Sequence, residues 1–147
     1  MNGKFKNRRI ITVATTGQWP KKENNPNVPM TPEEIAEDIY DCWLAGAAIA
    51  HIHMRDDAGN GTMDKERFAK TAQLLKDQHP ECNIILNMTT SGDVNADDDS
   101  RMAHIIELKP EMASYDCGSM NWMHSGLFLN TPQFLEKLGL VMQEHGI

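Results

Sequence analysis

Segments of strand type and of helix type alternate four times along this chain, and no other feature limits its fold as strongly. The strand-type segments are runs of β-branched and other apolar residues, and each precedes a segment with apolar residues at helical spacing. Strands that alternate with helices in this way form parallel sheets covered by helices, so the predicted class is α/β. The four predicted strands are residues 9–16, 48–56, 83–90 and 112–117.

Two of the predicted helices have a distinctive first turn. Thr31 precedes Pro32, and Glu34 follows three residues after Thr31, which is the pattern of a capping box with proline at the first helical position. Thr131 and Pro132 repeat the threonine-proline start before the fourth helix. We find no obvious linker between the four units and predict a single domain over residues 1–147. The first helix is predicted to end at residue 46, the second to span 64–79, the third to end near 110 and the fourth at 146.

Polar residues collect at or just after the carboxyl ends of the predicted strands. This is the edge of the sheet at which barrel enzymes carry their catalytic groups. Four strand-helix units are too few to close an eight-stranded barrel by themselves and somewhat few for a doubly wound sheet. The polar groups are Thr16-Gly17, the pair His51 and His53, residues 89–92, and the pair Ser119 and Asn121.

His51 and His53 are the strongest candidate site residues. Successive side chains of a strand point to opposite faces, so these two share a face while Ile52 points away. A pair of neutral imidazoles at a strand end is suited to a divalent metal such as zinc. The alternative is a pair of hydrogen-bonded histidines in the core, and the spacing alone does not separate the two.

Charge, hydropathy and cysteine usage exclude several other functions. The net charge of -7 argues against non-specific nucleic-acid binding and against a polybasic membrane patch. No apolar run approaches the roughly 18 residues of a membrane span, and we expect no membrane partner. Cys42, Cys82 and Cys117 have no metal-binding spacing, which favours reduced thiols and a cytoplasmic location over a disulfide framework.

Five stretches together resemble the β-keto acid cleavage enzymes, once catalogued as a domain of unknown function. They occur in the family's order and cover nearly the whole chain from Ile10 onward. The combination of an H-x-H-x-R-D stretch with a later PEMAS-x-D-x-GS-x-N stretch is far more specific than any one piece. Members of the family are (β/α)8 barrels of roughly twice this length, so the resemblance implies the first half of a TIM barrel. The stretches are TPEEIA, AGAAIAHIHMRDDAG, NMTTSGD, PEMASYDCGSMNW and NTPQFLE.

The resemblance implies a role for each matching residue. His51 and His53 match the two zinc-binding histidines of the family. Thr89 and Gly92 match positions that hold the carboxylate and carbonyl oxygens of the β-keto acid, and Ser119 matches a hydroxyl on the next strand that does the same. The implied cofactor is zinc, with acetyl-CoA as co-substrate. The implied products are acetoacetate and a new CoA thioester, released by a retro-Claisen step.

Some of the family's functional residues match no position here. Its third zinc ligand is a glutamate late in the second half of the barrel, and its catalytic arginine and acidic residue also lie there. The resemblance therefore leaves three possibilities open: a fragment, one half of a split enzyme whose partner supplies the other strands, or a homodimer of two half-barrels. A non-catalytic half-barrel that binds metal or a partner is the competing hypothesis.

A few residues near the predicted site bear on specificity or have structural alternatives. Family members that act on an amino-substituted keto acid carry a glutamate at the position of Trp19, which favours an uncharged or bulkier apolar substrate side chain here. Asp116 and Arg55 can form a structural ion pair at the sheet edge. His104 is expected at the surface or in packing, and His124 as a solvated loop residue or an additional ligand near the site.

Overall fold

The computed structural model describes residues 7–122 and 126–147, and His124 lies outside the described residues. Four helices accompany a parallel sheet and two short hairpins in the described part of the chain. In chain order the elements are β1 (Thr12–Ala14), α1 (Pro32–Leu44), β2 (Ile49–Ile52), β3 (Met54–Arg55), β4 (Gly61–Thr62), α2 (Lys65–Gln78), β5 (Ile85–Met88), α3 (Asp98–Leu108), β6 (Met112–Ala113), β7 (Met120–Trp122), β8 (Gly126–Phe128) and α4 (Pro132–His145).

The central sheet has the order β1-β2-β5-β6, and all of its pairs are parallel. Consecutive strands of the four units are therefore neighbours, each joined by a helix. This arrangement confirms the predicted α/β class and corresponds to the first four units, or first half, of a (β/α)8 barrel.

One face of the sheet is covered by the helices. Ala50 and Ile52 on β2 are fully buried and pack in one cluster with Ile35 and Ile39 of α1 and Phe68 of α2. The opposite face would line the inside of a barrel. It carries His51, which is aligned with Ala14 on β1 and with Asn87 on β5. Residues on that face are less covered, and Ala14 is exposed.

The helix starts confirm the predicted caps. The Thr31 hydroxyl accepts a hydrogen bond from the Glu34 amide, and the Glu34 side chain accepts from the Thr31 amide, which completes the capping box. The Thr131 hydroxyl likewise accepts from the Phe134 amide at the start of α4. In the part of the chain that the structure describes, no helix is long and apolar enough to cross a membrane.

All four predicted strands are shorter in the structure than the sequence indicates. The histidine strand leaves the parallel sheet after Ile52, because Met54 and Arg55 pair antiparallel with β4. The turn between them is fastened by the Asp56 carboxylate, which accepts from the amides of Ala58 and Asn60. The fourth predicted strand, residues 112–117, pairs only over Met112–Ala113. The β7/β8 hairpin was not predicted from the sequence.

Candidate active site

A cavity of about 280 Å³ opens where the strands of the parallel sheet end. The polar groups that the sequence placed at this edge contribute much of its wall, together with several large apolar side chains. The lining residues are Gln18, Trp19, His51, His53, Thr89, Ser91, Val94, Ser114, Asp116, Trp122 and Phe128.

The two histidines meet in this cavity. Their rings are nearly perpendicular, and their Nε2 atoms lie 3.1 Å apart. Both side chains are half-buried. Burial lowers the pKa of His53 to about 4, and the neighbouring His51 and Arg55 add to this shift, so the ring is neutral at physiological pH. A neutral imidazole with a free nitrogen is the form that binds a metal.

The geometry of the pair fits two ligands of one zinc ion. Two nitrogens bound to the same zinc at about 2.0–2.1 Å must lie within about 4.2 Å of each other, and the observed 3.1 Å satisfies this limit. The same separation is also that of a hydrogen bond between two neutral rings, the alternative left open by the sequence. No cluster of three or more His, Cys, Asp or Glu residues suited to a metal occurs among the described residues. The described residues therefore offer two ligands, where a catalytic zinc site has three.

Two buried polar atoms near the histidines have no hydrogen-bond partner within the described ranges. They are Nδ1 of His53 and Oδ1 of Asn87, whose residue is aligned with His51 on the neighbouring strand. An unpaired buried polar atom is destabilising by about 1–3 kcal/mol. His53 lines the cavity, and an unpaired buried atom on a cavity residue fits a site that is completed by water or by a ligand.

The loop after β5 forms a polar wall. Thr89 lines the cavity, and its hydroxyl accepts from the Ser91 amide. Ser91 in turn donates its hydroxyl hydrogen to Asp116 at 2.5 Å. The Thr90 amide donates to the hydroxyl of Ser114, which lies after β6. These bonds join the ends of β5 and β6, so the hydroxyls and the Asp116 carboxylate keep a fixed arrangement.

Gly92 is buried beside the cavity wall without contributing to its lining. Its amide donates to the sulfur of Met63 at 3.0 Å, and its carbonyl oxygen lies against Gly61. A Cβ atom on Gly61 would stand 2.1 Å from that oxygen, so the close approach requires glycine. The predicted contact between Gly92 and a substrate stays a prediction.

Ser119 is placed away from the cavity lining. Its hydroxyl donates to the Asn130 carbonyl at 3.1 Å and accepts from the Asn130 amide at 2.8 Å. The residue is exposed, and its hydrogen bonds fasten the base of the β7/β8 hairpin. Its role toward a substrate also stays a prediction.

Arg55 is a buried arginine whose guanidinium binds backbone carbonyl groups. It donates to the carbonyls of Gly17 and Pro20 in the loop after β1 and to that of Gly59 in the β3–β4 turn. Asp116 has the Ser91 hydroxyl as its partner. The Arg55–Asp116 ion pair suggested by the sequence is therefore not formed within the described part of the chain. The guanidinium is instead matched to loop carbonyls that lie far apart in sequence.

A second buried arginine, Arg101 of α3, was missed by the sequence analysis. It donates to the carbonyls of Thr90 and Leu129 and to the side chain of Asn130. Burial lowers its pKa, and the charges of Asp98 and Asp116 oppose that shift. Its position four residues before Ile105, on the apolar side of the helix, was the available signal.

The remaining wall is apolar. Trp19 and Trp122 flank the opening and are 51% and 46% exposed, while Phe128 is buried. Val94 completes this side. The predicted position of Trp19 next to the site is confirmed by the cavity lining.

The sequence and the fold were compared with known proteins. The family model for beta-keto acid cleavage enzymes matches residues 8–147. The 3-keto-5-aminohexanoate cleavage enzyme of Fusobacterium nucleatum is 40% identical over 138 residues, which are 94% of this chain and 50% of that protein. The 3-oxoadipate:acetyl-CoA acetyltransferase of Cupriavidus necator is 32% identical over 138 residues, or 94% of this chain and 47% of that protein.

A solved structure, the ternary complex of ObcA with C4-CoA adduct and oxalate, superposes with a TM-score of 0.73 at 25% identity and covers 82% of this chain and 30% of its own. The chain spans about half the length of the curated relatives it matches. The match over residues 8–147 includes the histidine pair and every loop that lines the cavity. The chain therefore belongs to the beta-keto acid cleavage enzyme family.

Proposed function

We propose that this chain provides half of the active site of a zinc-dependent enzyme that cleaves a β-keto acid with acetyl-CoA. The products are acetoacetate and a new acyl-CoA. The observation that carries the proposal is the 3.1 Å separation of the His51 and His53 Nε2 atoms at the cavity of a chain that belongs to this family. The names of the relatives support acetyl-CoA and a keto acid as substrates.

Each part of the cavity has a task in this reaction. His51 and His53 would hold the zinc ion, which when bound supplies a Lewis acid for the keto oxygen. The hydroxyls of Thr89 and Ser114 are donors suited to the carboxylate of the keto acid. The family resemblance assigns Gly92 and Ser119 to the carboxylate and carbonyl oxygens of the keto acid. To reach them, Ser119 would have to give up its hydrogen bonds to Asn130.

The substrate side chain that we propose is uncharged or apolar. Trp19, Trp122, Phe128 and Val94 offer a large apolar surface to it. Asp116 is the carboxylate in the cavity lining. A substrate whose side chain carried a second carboxylate would therefore be repelled by it. Trp19 also replaces the glutamate that would pair with an amino group.

The catalysis requires more strands than the described residues provide. In the central sheet, β1 and β6 each have one neighbouring strand, and two histidines are too few ligands for catalytic zinc. We propose that a second half-barrel completes the site. A separate chain would supply the third ligand and the catalytic arginine and acid, whereas another copy of this chain would supply a second pair of histidines. The free Cys42, Cys82 and Cys117 support a reducing, cytoplasmic environment.

A non-catalytic half-barrel that binds metal or a partner is the second candidate. The two-ligand histidine pair favours it, because such a pair can bind zinc without activating a substrate. Both candidate functions include the metal site, and only the first includes catalytic turnover.

The test is a reconstitution with zinc. This chain is produced alone and together with the unmatched carboxyl-terminal half of the Fusobacterium nucleatum relative, and each sample is assayed for acetoacetate from apolar β-keto acids and acetyl-CoA. The proposal predicts turnover in the presence of a second half-barrel and its loss in the His51→Ala variant. Zinc binding without acetoacetate in any combination would favour the non-catalytic candidate.

A further inference from the structure

Arg101 makes one of the most extensive sets of side-chain contacts in the described structure, although it lies outside the cavity. The residue is 6% exposed. Its Nε donates to the Thr90 carbonyl at 2.7 Å, its Nη1 to the Leu129 carbonyl at 3.1 Å, and its Nη2 to Oδ1 of Asn130 at 2.6 Å. The guanidinium carbon lies 3.8 Å from the centre of the Phe134 ring in α4.

These contacts belong to two different walls of the cavity. Thr90 stands between Thr89 and Ser91, which form the polar wall. Leu129 and Asn130 directly follow Phe128, which belongs to the apolar wall. One guanidinium therefore binds both walls at once, from the side that faces the helices.

Asn130 also links Arg101 to the segment after β6. Its Nδ2 donates to the Gly118 carbonyl at 3.1 Å, and its backbone amide and carbonyl both bond the Ser119 hydroxyl. The segment after β6 is thus held to Arg101 through one asparagine. In the described part of the chain, the loop after β5 also bonds the segment after β6, through Thr90 to Ser114 and Ser91 to Asp116.

The chemistry of the contacts requires arginine. Three donors of a planar guanidinium reach three oxygens in different directions, and the flat face stacks on an aromatic ring. A lysine ammonium is a single point and does not span this set of acceptors. Burial of a charged group without a close carboxylate is costly, so the contacts must be well formed to keep it there.

We propose that Arg101 is a positioning residue that fixes the Thr89–Ser91 wall of the cavity relative to the Phe128–Asn130 wall. Its importance for the reaction rests on the proposed function, in which both walls contact the keto acid. The fixed spacing itself is a property of the fold and holds without substrate or zinc.

Amide hydrogen exchange of the full chain tests this spacing directly. The reporters are the amides of Thr90, Ser91 and Asn130, each of which is bonded to a side-chain oxygen. In the Arg101→Lys variant we expect these amides to exchange about tenfold faster, as for the loss of one hydrogen bond from a charged donor. The amide of His51 in β2 serves as the reference and should change far less.

Two further variants separate positioning from general destabilisation. Asn130→Ala removes one acceptor of Arg101 and is the milder change, so it should speed exchange near Ser119 and leave Thr90 protected. Arg55→Lys is the matched control, because Arg55 is also buried and binds carbonyls of other loops. It should leave the Thr90 and Asn130 amides unchanged relative to His51.

The result that overturns the proposal is unchanged exchange of both walls in Arg101→Lys, or an equal increase at all reporters including His51. In the reconstituted enzyme, Arg101→Lys should raise the KM for the keto acid by about fivefold or more with zinc content unchanged. If the reconstituted enzyme shows no turnover even with wild-type Arg101, while the exchange rates change as expected, the proposed function fails and the positioning role of Arg101 stands.

Discussion

His104 should make the stability of the chain fall in mild acid. Its side chain is fully buried in α3 and stacks on Phe68 of α2, with the ring centres 4.2 Å apart. Neither ring nitrogen has a well-formed hydrogen bond with the residues that the structure describes. Burial lowers the pKa of His104 from 6.5 to about 4, and the Thr89 backbone opposes only part of this change.

The direction and the magnitude of this change in unfolding free energy follow from the ordinary and the lowered pKa of His104. The folded chain binds a proton at His104 less readily than the unfolded chain, so the stability is complete above about pH 6.5 and declines as the pH falls toward 4. Between about pH 7.5 and pH 5 the expected loss of unfolding free energy is about 2 kcal/mol, and the limit at lower pH is about 3 kcal/mol. The pKa of His53 is lowered in the same direction, so the wild-type decline includes both histidines.

The contribution of His104 is isolated with His104→Leu, which keeps an apolar side chain of similar size and cannot be protonated. Urea unfolding of both proteins at about pH 7.5 and about pH 5, without added metal, gives four free energies. We expect the wild type to lose about 2 kcal/mol more than the variant between the two pH values. Equal losses in both proteins would refute the assignment of a buried, neutral imidazole at this position.

Five further substitutions have expected outcomes. Thr31→Ala removes the cap of α1 and should lower the unfolding free energy by about 1 kcal/mol in urea titrations, with Thr131→Ala as the matched change at α4. Gly61→Ala should lower it by about 1–3 kcal/mol because the new Cβ meets the Gly92 carbonyl, whereas Gly118→Ala has open space and should have little effect. Trp19→Glu should shift the ratio of kcat/KM values toward an amino-substituted keto acid by about tenfold in the reconstituted enzyme, and an unchanged ratio would exclude Trp19 from substrate selection.

The parts of the fold that follow from neighbouring residues could be predicted. The cap of α1 depends on Thr31 and Glu34, which are three residues apart and bond each other. The shared face of His51 and His53 follows from the two-residue period of an extended chain. On that face the structure places their Nε2 atoms 3.1 Å apart.

The parts that depend on distant partners could not be predicted. The histidine strand ends at Ile52 because Met54 and Arg55 find partners in β4, beyond a turn that the sequence identified only as a turn. The sequence left open an ion pair between Arg55 and Asp116 at the sheet edge. The structure surrounds the Arg55 guanidinium with carbonyl groups of two separate segments instead, the loop after β1 and the β3–β4 turn.

In the candidate site too, features that depend on neighbouring residues could be predicted, and features that depend on distant partners could not. Thr89 lines the cavity as its place at a strand end indicated. Phe128 belongs to the wall because β8 folds back along β7, and Arg101 supports it from a helix nearly thirty residues earlier in the chain. The sequence left open whether His104 lies at the surface or packs in the interior. Its ring stacks on Phe68 of another helix, so it is a packing residue.

Zinc binding by the histidine pair is the claim on which the proposed function depends most. Native mass spectrometry with one equivalent of zinc reports the subunit mass, the number of copies and the bound metal together. We predict a zinc-bound species for the wild type and for His79→Ala, whose ring lies outside the cavity and bonds Glu37, and no bound zinc for His51→Ala or His53→Ala. A metal-free wild type, or equal zinc retention in all four proteins, would contradict the assignment of this pair as the metal site.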